Sequence, residues 1–217
     1  HRNQSKLKIG SHKRNDFDIT IRNCEGDRGK FEDRLKAIQK RGVPNYFGMQ
    51  RFGHKFQNIA AVHNLMATEI ETTLSNNKKE RRRISNIERG ILISSARAYL
   101  FNEVLSSRLQ LKNWSNYLSG DVLNLNGTES YFTLGLNDQE DMIQERIDIF
   151  DIHISGPLAG SVSSKDKYVT RSKAADIEVE SFQNHEALFK GLNKLKVPAS
   201  RRPLRFRPEN LQWSWKD

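Results

Sequence analysis

"RGVPNYFGMQRFG", Arg41 to Gly53, sets one proline, three glycines, three aromatics and two arginines around a single asparagine. Pro44 disfavours helix for the residue before it, and Gly48 and Gly53 let backbone come close to another molecule, so the loop is shaped rather than slack. Asn45 offers an amide with two donors and an acceptor, Tyr46, Phe47 and Phe52 offer flat faces, and Arg41 and Arg51 offer phosphate-binding forks. Such a set suits an unstacked base, which RNA readers stack on an aromatic ring and hydrogen-bond along its edge, and which enzymes acting on a base must extract from its stack. Equally, the three aromatics can be core residues and the glycines the requirement of a tight turn. Both readings stand on composition alone.

Upstream, Asp27 can cap a helix with Phe31, Leu35 and Ile38 on its apolar face; Lys40 and Arg41 suit its last turn and Gly42 its exit. Before it, Leu7 and Ile9 in "KLKIG" and Phe17, Ile19 and Ile21 in "FDITIR" read as two half-buried strands joined by the basic turn "SHKRN". Downstream, Phe56, Ile59, Val62, Met66 and Ile70 recur at helical spacing. The pattern lapses over Thr73–Asn86, where Lys78, Lys79, Arg81, Arg82 and Arg83 cluster, and the domain junction is placed there. Ile87, Ile91, Ala98, Phe101, Leu105 and Leu109 then mark a long helix. Short strands are predicted at "DVLNLN", "SYFTLG" and "DIHISG", with a helix from about Asp138 to Ile147, a second long helix over Lys173–Leu192, and strands at "PLRFRP" and "LQWSW". The sum is a mixed α+β chain in two modest domains.

The 217 residues carry 36 Lys+Arg against 26 Asp+Glu, a formal net charge of +10. Mean hydropathy is −0.73. A polyanion is the expected partner, nucleic acid first, because phosphate backbones reward clustered cations by counterion release. No apolar run approaches a bilayer span and no cleavable leader pattern opens the chain, so a soluble, cytoplasmic protein without a membrane partner is expected. Cys24, the single cysteine, has no metal-spaced partner and reads as a strand-end packing residue. An opening on His1 suggests a piece of something longer.

"GVPNYFGMQRFG" resembles the signature of the tRNA pseudouridine synthase D (TruD) family. "KLKIGSHKRNDFDITIRN", "LISSARAYLFNEVLSSRL", "GDVLNLNG", "ISGPLAG" and "LQWSWKD" resemble consecutive family segments, so the similarity extends over nearly the whole chain. The resemblance implies part of a pseudouridine-synthase core with a mixed or antiparallel sheet over residues 1–70, and a second α+β domain, an insertion peculiar to the family, over 71–217. It implies isomerisation of uridine to pseudouridine in tRNA, chiefly at position thirteen, through base flipping and an aspartate nucleophile, with no metal or organic cofactor; a monomer is expected. By motif position, Phe47 stacks on the target base and Asn45 orders the catalytic site near the aspartate. Arg51, Arg41, and His12, Lys13 and Arg14 at the hairpin tip are expected to contact phosphate. Arg81 and Arg82 line an RNA groove at the junction or belong to a soluble linker.

The family's aspartate lies in a Gly-x-Lys-Asp-x-x-Ala-Val-Thr type segment upstream of the hairpin, so the resemblance puts the nucleophile outside this chain, along with the last strand and helix of the core. "SSKDKYVT", with Asp166, copies part of that segment in the wrong context and equally describes a solvated loop. Asp138, Glu140, Asp141 and Glu145 read as a solvated helix face, Ser94 and Ser95 as helical residues rather than nucleophiles, and Trp213 and Trp215 as packing. An RNA-binding module without catalysis is the alternative function for this stretch.

Overall fold

Asp27 Oδ1 accepts a hydrogen bond from the Lys30 backbone N–H at 2.9 Å and starts α1 (Arg28–Arg41), which closes on Lys40 and Arg41. Gly42 follows with φ 75°, and a Cβ there would lie 2.6 Å from the Phe206 carbonyl oxygen. Only glycine leaves the helix this way. The computed structural model describes residues 15–74, 85–134, 139–162 and 169–216. After Gly42 come β1 (Val43–Pro44), two short 3-10 turns (Met49–Phe52 and His54–Phe56), α2 (Gln57–Leu74), α3 (Asn86–Gln110), β2 (Val122–Leu125), β3 (Tyr131–Thr133), α4 (Glu140–Asp148), β4 (Ile152–Leu158), α5 (Ser172–Gln183), α6 (Glu186–Lys194), β5 (Ser200–Pro203) and β6 (Arg205–Phe206). The chain is α+β and forms two compact units, 1–36 and 37–217.

In the larger unit, four antiparallel strands run in the order β3-β2-β4-β5, with Leu123 opposite Ile154 and Gly156 opposite Arg202. A separate antiparallel pair sets Val43 opposite Phe206 and Pro44 opposite Arg205. Two apolar clusters fill the unit. Val62 and Met66 of α2, Leu92, Ala96 and Leu100 of α3, and Leu188 and Leu192 of α6 form the first. Phe101 and Leu105 of α3, Leu123, Ile152 and Ile154 of the sheet, Ile143 and Ile147 of α4, and Leu204 form the second. So α3 is common to both. Helices α2 and α6 approach closely because Gly191 has no side chain: a Cβ there would lie 2.4 Å from Met66 Sδ.

Several elements differ from the sequence expectation. Residues 15–22 are not a strand, and Phe17, Ile19 and Ile21 are 80, 74 and 77% exposed, since no neighbouring strand pairs with them among the described residues. The other arm, with Leu7 and Ile9, lies outside the described residues. Cys24 is exposed rather than packed. Ile87 and Ile91 face outward, so the buried face of α3 begins at Leu92. The second long helix is two helices, broken where His185 takes φ −130°, ψ 26°. There its ring meets the Tyr99 ring edge-on at 5.0 Å and its Nε2 lies 3.4 Å from Glu103 Oε2. Contact with α3 overrides helical continuity. "LQWSW" is not a strand either: Leu211, Trp213 and Trp215 are half-buried and alternate with exposed neighbours, but no ladder forms.

Candidate active site

The Gly42–Gly53 loop is fixed along two edges, one given by β5–β6 and one by α3. On the first, the Asn45 backbone N–H donates to Leu204 O at 2.9 Å and its Nδ2 donates to Pro203 O at 2.9 Å. Arg202 Nη2 donates to Asn45 Oδ1 at 2.6 Å, so both ends of the Asn45 amide are held. On the second edge, Asn102 clamps the main chain of Phe47, accepting from its N–H at 2.9 Å and donating to its carbonyl at 3.0 Å. The Tyr46 hydroxyl bonds Ser106 Oγ at 2.9 Å, Arg51 Nη1 donates to Ser94 Oγ at 3.2 Å, and Ser95 Oγ donates to Arg51 O at 2.7 Å. One helix, α3, therefore grips the loop at 94–95, 102 and 106, a spacing that returns to the same face.

The aromatics divide by role. Phe52 is buried at 3% exposure and stacks on Phe56 at 5.6 Å, which bears out packing for that ring. Tyr46 is exposed. Phe47 is half-buried, edge-on to Phe101 at 5.5 Å, with the Arg202 guanidinium 4.2 Å and that of Arg51 5.7 Å from its centroid. Gly53, at φ 74°, needs to be glycine, for a Cβ would lie 2.8 Å from Asn58 Oδ1. Gly48 does not: its φ is −71° and nothing lies within 4 Å of a Cβ there.

Beside Asn45 opens a groove of about 860 Å³, whose wall includes Asn124, Asn126, Tyr131, His153 and Arg205. His153 accepts from Arg205 Nε on Nδ1 at 3.3 Å and donates from Nε2 to Asn126 Oδ1 at 2.9 Å. Burial, with the Arg205 charge beside it, holds the imidazole down to about 4, so it is neutral at pH 7. Arg205 also donates to the Ile147 and Ile152 carbonyls and lies 4.1 Å from the Phe150 ring. Burial lowers it to about 10, still cationic at neutral pH.

Of the sequence-selected residues, Asn45, Phe47 and Arg51 come together. Arg41 is exposed at the end of α1. His12, Lys13, Arg14, Arg81, Arg82 and Asp166 lie outside the described residues. Glu140, Asp141 and Glu145 are exposed along α4, and no metal-holding group of three His, Cys, Asp or Glu occurs among the described residues. Among the same residues no helix is long and apolar enough to cross a membrane. Sequence reasoning missed Arg202 and Asn102. Both were visible only as one of two successive arginines before "PLRFRP" and as a polar residue on a helix face.

A family profile described as tRNA pseudouridine synthase D (TruD) matches residues 1–76 and 72–217. A Xanthomonas oryzae pv. oryzae protein named tRNA pseudouridine synthase D is 38% identical over 214 residues, covering 97% of this chain and 56% of its own length. A Hydrogenovibrio crunogenus protein of that name is 32% identical over 216 residues, covering 100% of this chain and 57% of its own. A solved structure from Methanosarcina mazei described under the same family name shares the fold, with a TM-score of 0.61 at 14% identity over 86% of this chain and 58% of that one. The chain thus spans about half the length of the curated relatives it matches.

Proposed function

The chain belongs to the tRNA pseudouridine synthase D family, and from that premise we propose that the protein carrying it isomerises uridine to pseudouridine in tRNA, at position thirteen. The target base is flipped out and received on Phe47. An aspartate outside this chain attacks ribose C1′ as the bond from C1′ to uracil N1 breaks; the uracil turns, its C5 displaces the aspartate from C1′, and C5 gives up a proton while N1 ends protonated, so no atom is lost and no metal or organic cofactor is required. Residues 1–70 belong to the catalytic core and 71–217 to the family's insertion. The enzyme works as a cytoplasmic monomer on tRNA, with Arg51, Arg41 and the basic stretches around Lys13 and Arg82 on phosphate.

The observation that carries this reading is the fixing of Phe47: both of its backbone polar groups are held by Asn102, at 2.9 and 3.0 Å, beside an Asn45 whose amide is bonded at both ends. A platform for a flipped base must be in place before the base arrives, because orientation at the reacting centre is worth more than adaptable contact. A second reading, an RNA-binding stretch without chemistry of its own, is favoured only by the short coverage of the relatives.

The test is pseudouridine formation in an unmodified tRNA transcript by the full-length protein that contains this chain. Phe47→Ala should lower turnover by about 100-fold or more while tRNA affinity falls by less than about 5-fold, since phosphate contacts dominate affinity and the stack of base on ring is made in full only once the base has been flipped into the reacting geometry. Equal losses in both would remove Phe47 from the base site.

A further inference from the structure

Arg202 and Arg51 converge on the Phe47 ring, at 4.2 and 5.7 Å from its centroid. Arg201 has Glu178 at 2.7 Å, Arg108 has Asp121 at 3.0 Å and Arg146 has Asp151 at 2.6 Å, while Arg97 and Arg205 each donate to two backbone carbonyls. Arg202 and Arg51 have no carboxylate within salt-bridge distance among the described residues; their side-chain partners are the Asn45 amide and the Ser94 hydroxyl. Arg202 Nε is buried without a hydrogen-bond partner. Two like charges beside one ring, one of them half-buried, repel each other, and among the described residues no carboxylate within salt-bridge distance neutralises either of them, only the ring face and neutral oxygens. Burial and then the Arg51 charge both push the Arg202 guanidinium down from its ordinary range. This is the electrostatic state of an anion seat before its anion arrives.

We infer that Arg202 and Arg51 together seat one phosphodiester of the RNA, adjoining the nucleotide whose base lies on Phe47. Arg202 adds to the phosphate contacts of the proposed function and rests on that reading for the identity of the RNA. A nucleotide with its base on the ring carries a phosphate on either side of its ribose. A guanidinium fork suits phosphate oxygens, and the chain's net charge of +10 favours a polyanion over a lone carboxylate. The bond from Arg202 to Asn45 then couples arrival of the phosphate to the orientation of the Asn45 amide, so that the residue named for ordering the site senses the backbone of its substrate.

The experiment uses the full-length protein and an unmodified tRNA transcript, with Kd measured from low to moderate KCl and pseudouridine quantified on the same samples. Arg202→Gln and Arg51→Gln should each weaken binding about 10-fold and flatten the slope of log K against log salt, and the double variant should flatten it by about 0.7–0.9 in all, one phosphate's share. Arg202→Lys, which keeps the charge but not the fork, should keep the wild-type slope. Arg202→Gln with wild-type Kd and slope but depressed turnover overturns the inference, because the cation would then serve a carboxylate held by the protein. Unchanged binding and turnover overturn it too. If Arg202→Gln does not fold, Arg51→Gln decides, since Arg51 leaves Asn45 untouched. Failure of the underlying reading looks different: wild-type protein would form no pseudouridine, whatever the slopes.

Discussion

Asn102 acts on the proposed chemistry only through the Phe47 backbone, which makes its substitution informative. Asn102→Ala leaves an N–H and a carbonyl without partners, at a cost of about 1–3 kcal/mol in stability. In the proposed reaction of the full-length protein it should lower kcat about 10-fold with KM nearly unchanged. Asn102→Asp keeps the acceptor and loses the donor, and should fall between alanine and wild type; a KM effect alone in both variants would mean a purely structural residue. His153 gives a pH prediction. Its pKa is about 4 in the fold and near 6.5 when unfolded. The unfolded chain therefore takes up a proton that the fold refuses as pH drops from about 6.5 to 4, and stability falls across that window by on the order of 2–3 kcal/mol. Urea unfolding of wild type and His153→Gln should show their stability difference shrink or reverse as pH is lowered from 7 to 4. At this scale the sequence read Asn45, Phe47 and Arg51 correctly as neighbours because they share thirteen contiguous residues. Arg202 was illegible because its partner Asn45 lies 157 positions away.

Among elements, α3 was legible in existence and length but not in which face is buried. Its apolar positions at Ile87 and Ile91 match helical spacing, yet burial starts a turn later, where α2 and α6 come to meet it. Period alone cannot say what a face will pack against. The same limit explains the broken helix at His185 and the missing ladders at 17–21 and 211–215, where alternation is present in the sequence but pairing partners are not present among the described residues. The last turn of α3 is tied to the start of β2 by the buried Arg108–Asp121 pair, with bonds of 3.1 and 3.0 Å, and by Leu118 N–H on Asp121 Oδ2 at 2.8 Å. Burial pushes the Asp121 carboxyl up, and Arg108 opposes that rise. Asp121→Ala strands a buried guanidinium and should cost about 3–5 kcal/mol in urea unfolding, more than any exposed pair such as Glu186–Lys190. Gly191→Ala should cost about 1–3 kcal/mol by driving a methyl into Met66, and Met66→Ala in the same chain should recover part of it.

For the larger unit as a whole, one helix serves both apolar clusters and also carries the residues that hold the loop. The α+β class, the helix–loop–helix order around the motif and the short strands after α3 were all readable, because each follows from a local period or turn residue. That the loop would lie along α3 was not readable, since it depends on polar residues at 94, 95, 102 and 106 whose spacing has meaning only once something lies against them. The dynamic consequence concerns amide exchange. The Phe47 N–H is bonded to a residue next to Phe101, which is fully buried in the second cluster, so releasing that N–H requires the loop to detach from the helix that holds the core. Its exchange with deuterium should follow the same free energy and denaturant dependence as the amides of Leu100 and Phe101, rather than those of a surface loop that opens on its own. Rapid, denaturant-independent exchange at Phe47 would contradict this. If the rates coincide, the Phe47 ring does not swing, and in the reaction proposed above the displacement that brings base and ring together has to be made by the RNA.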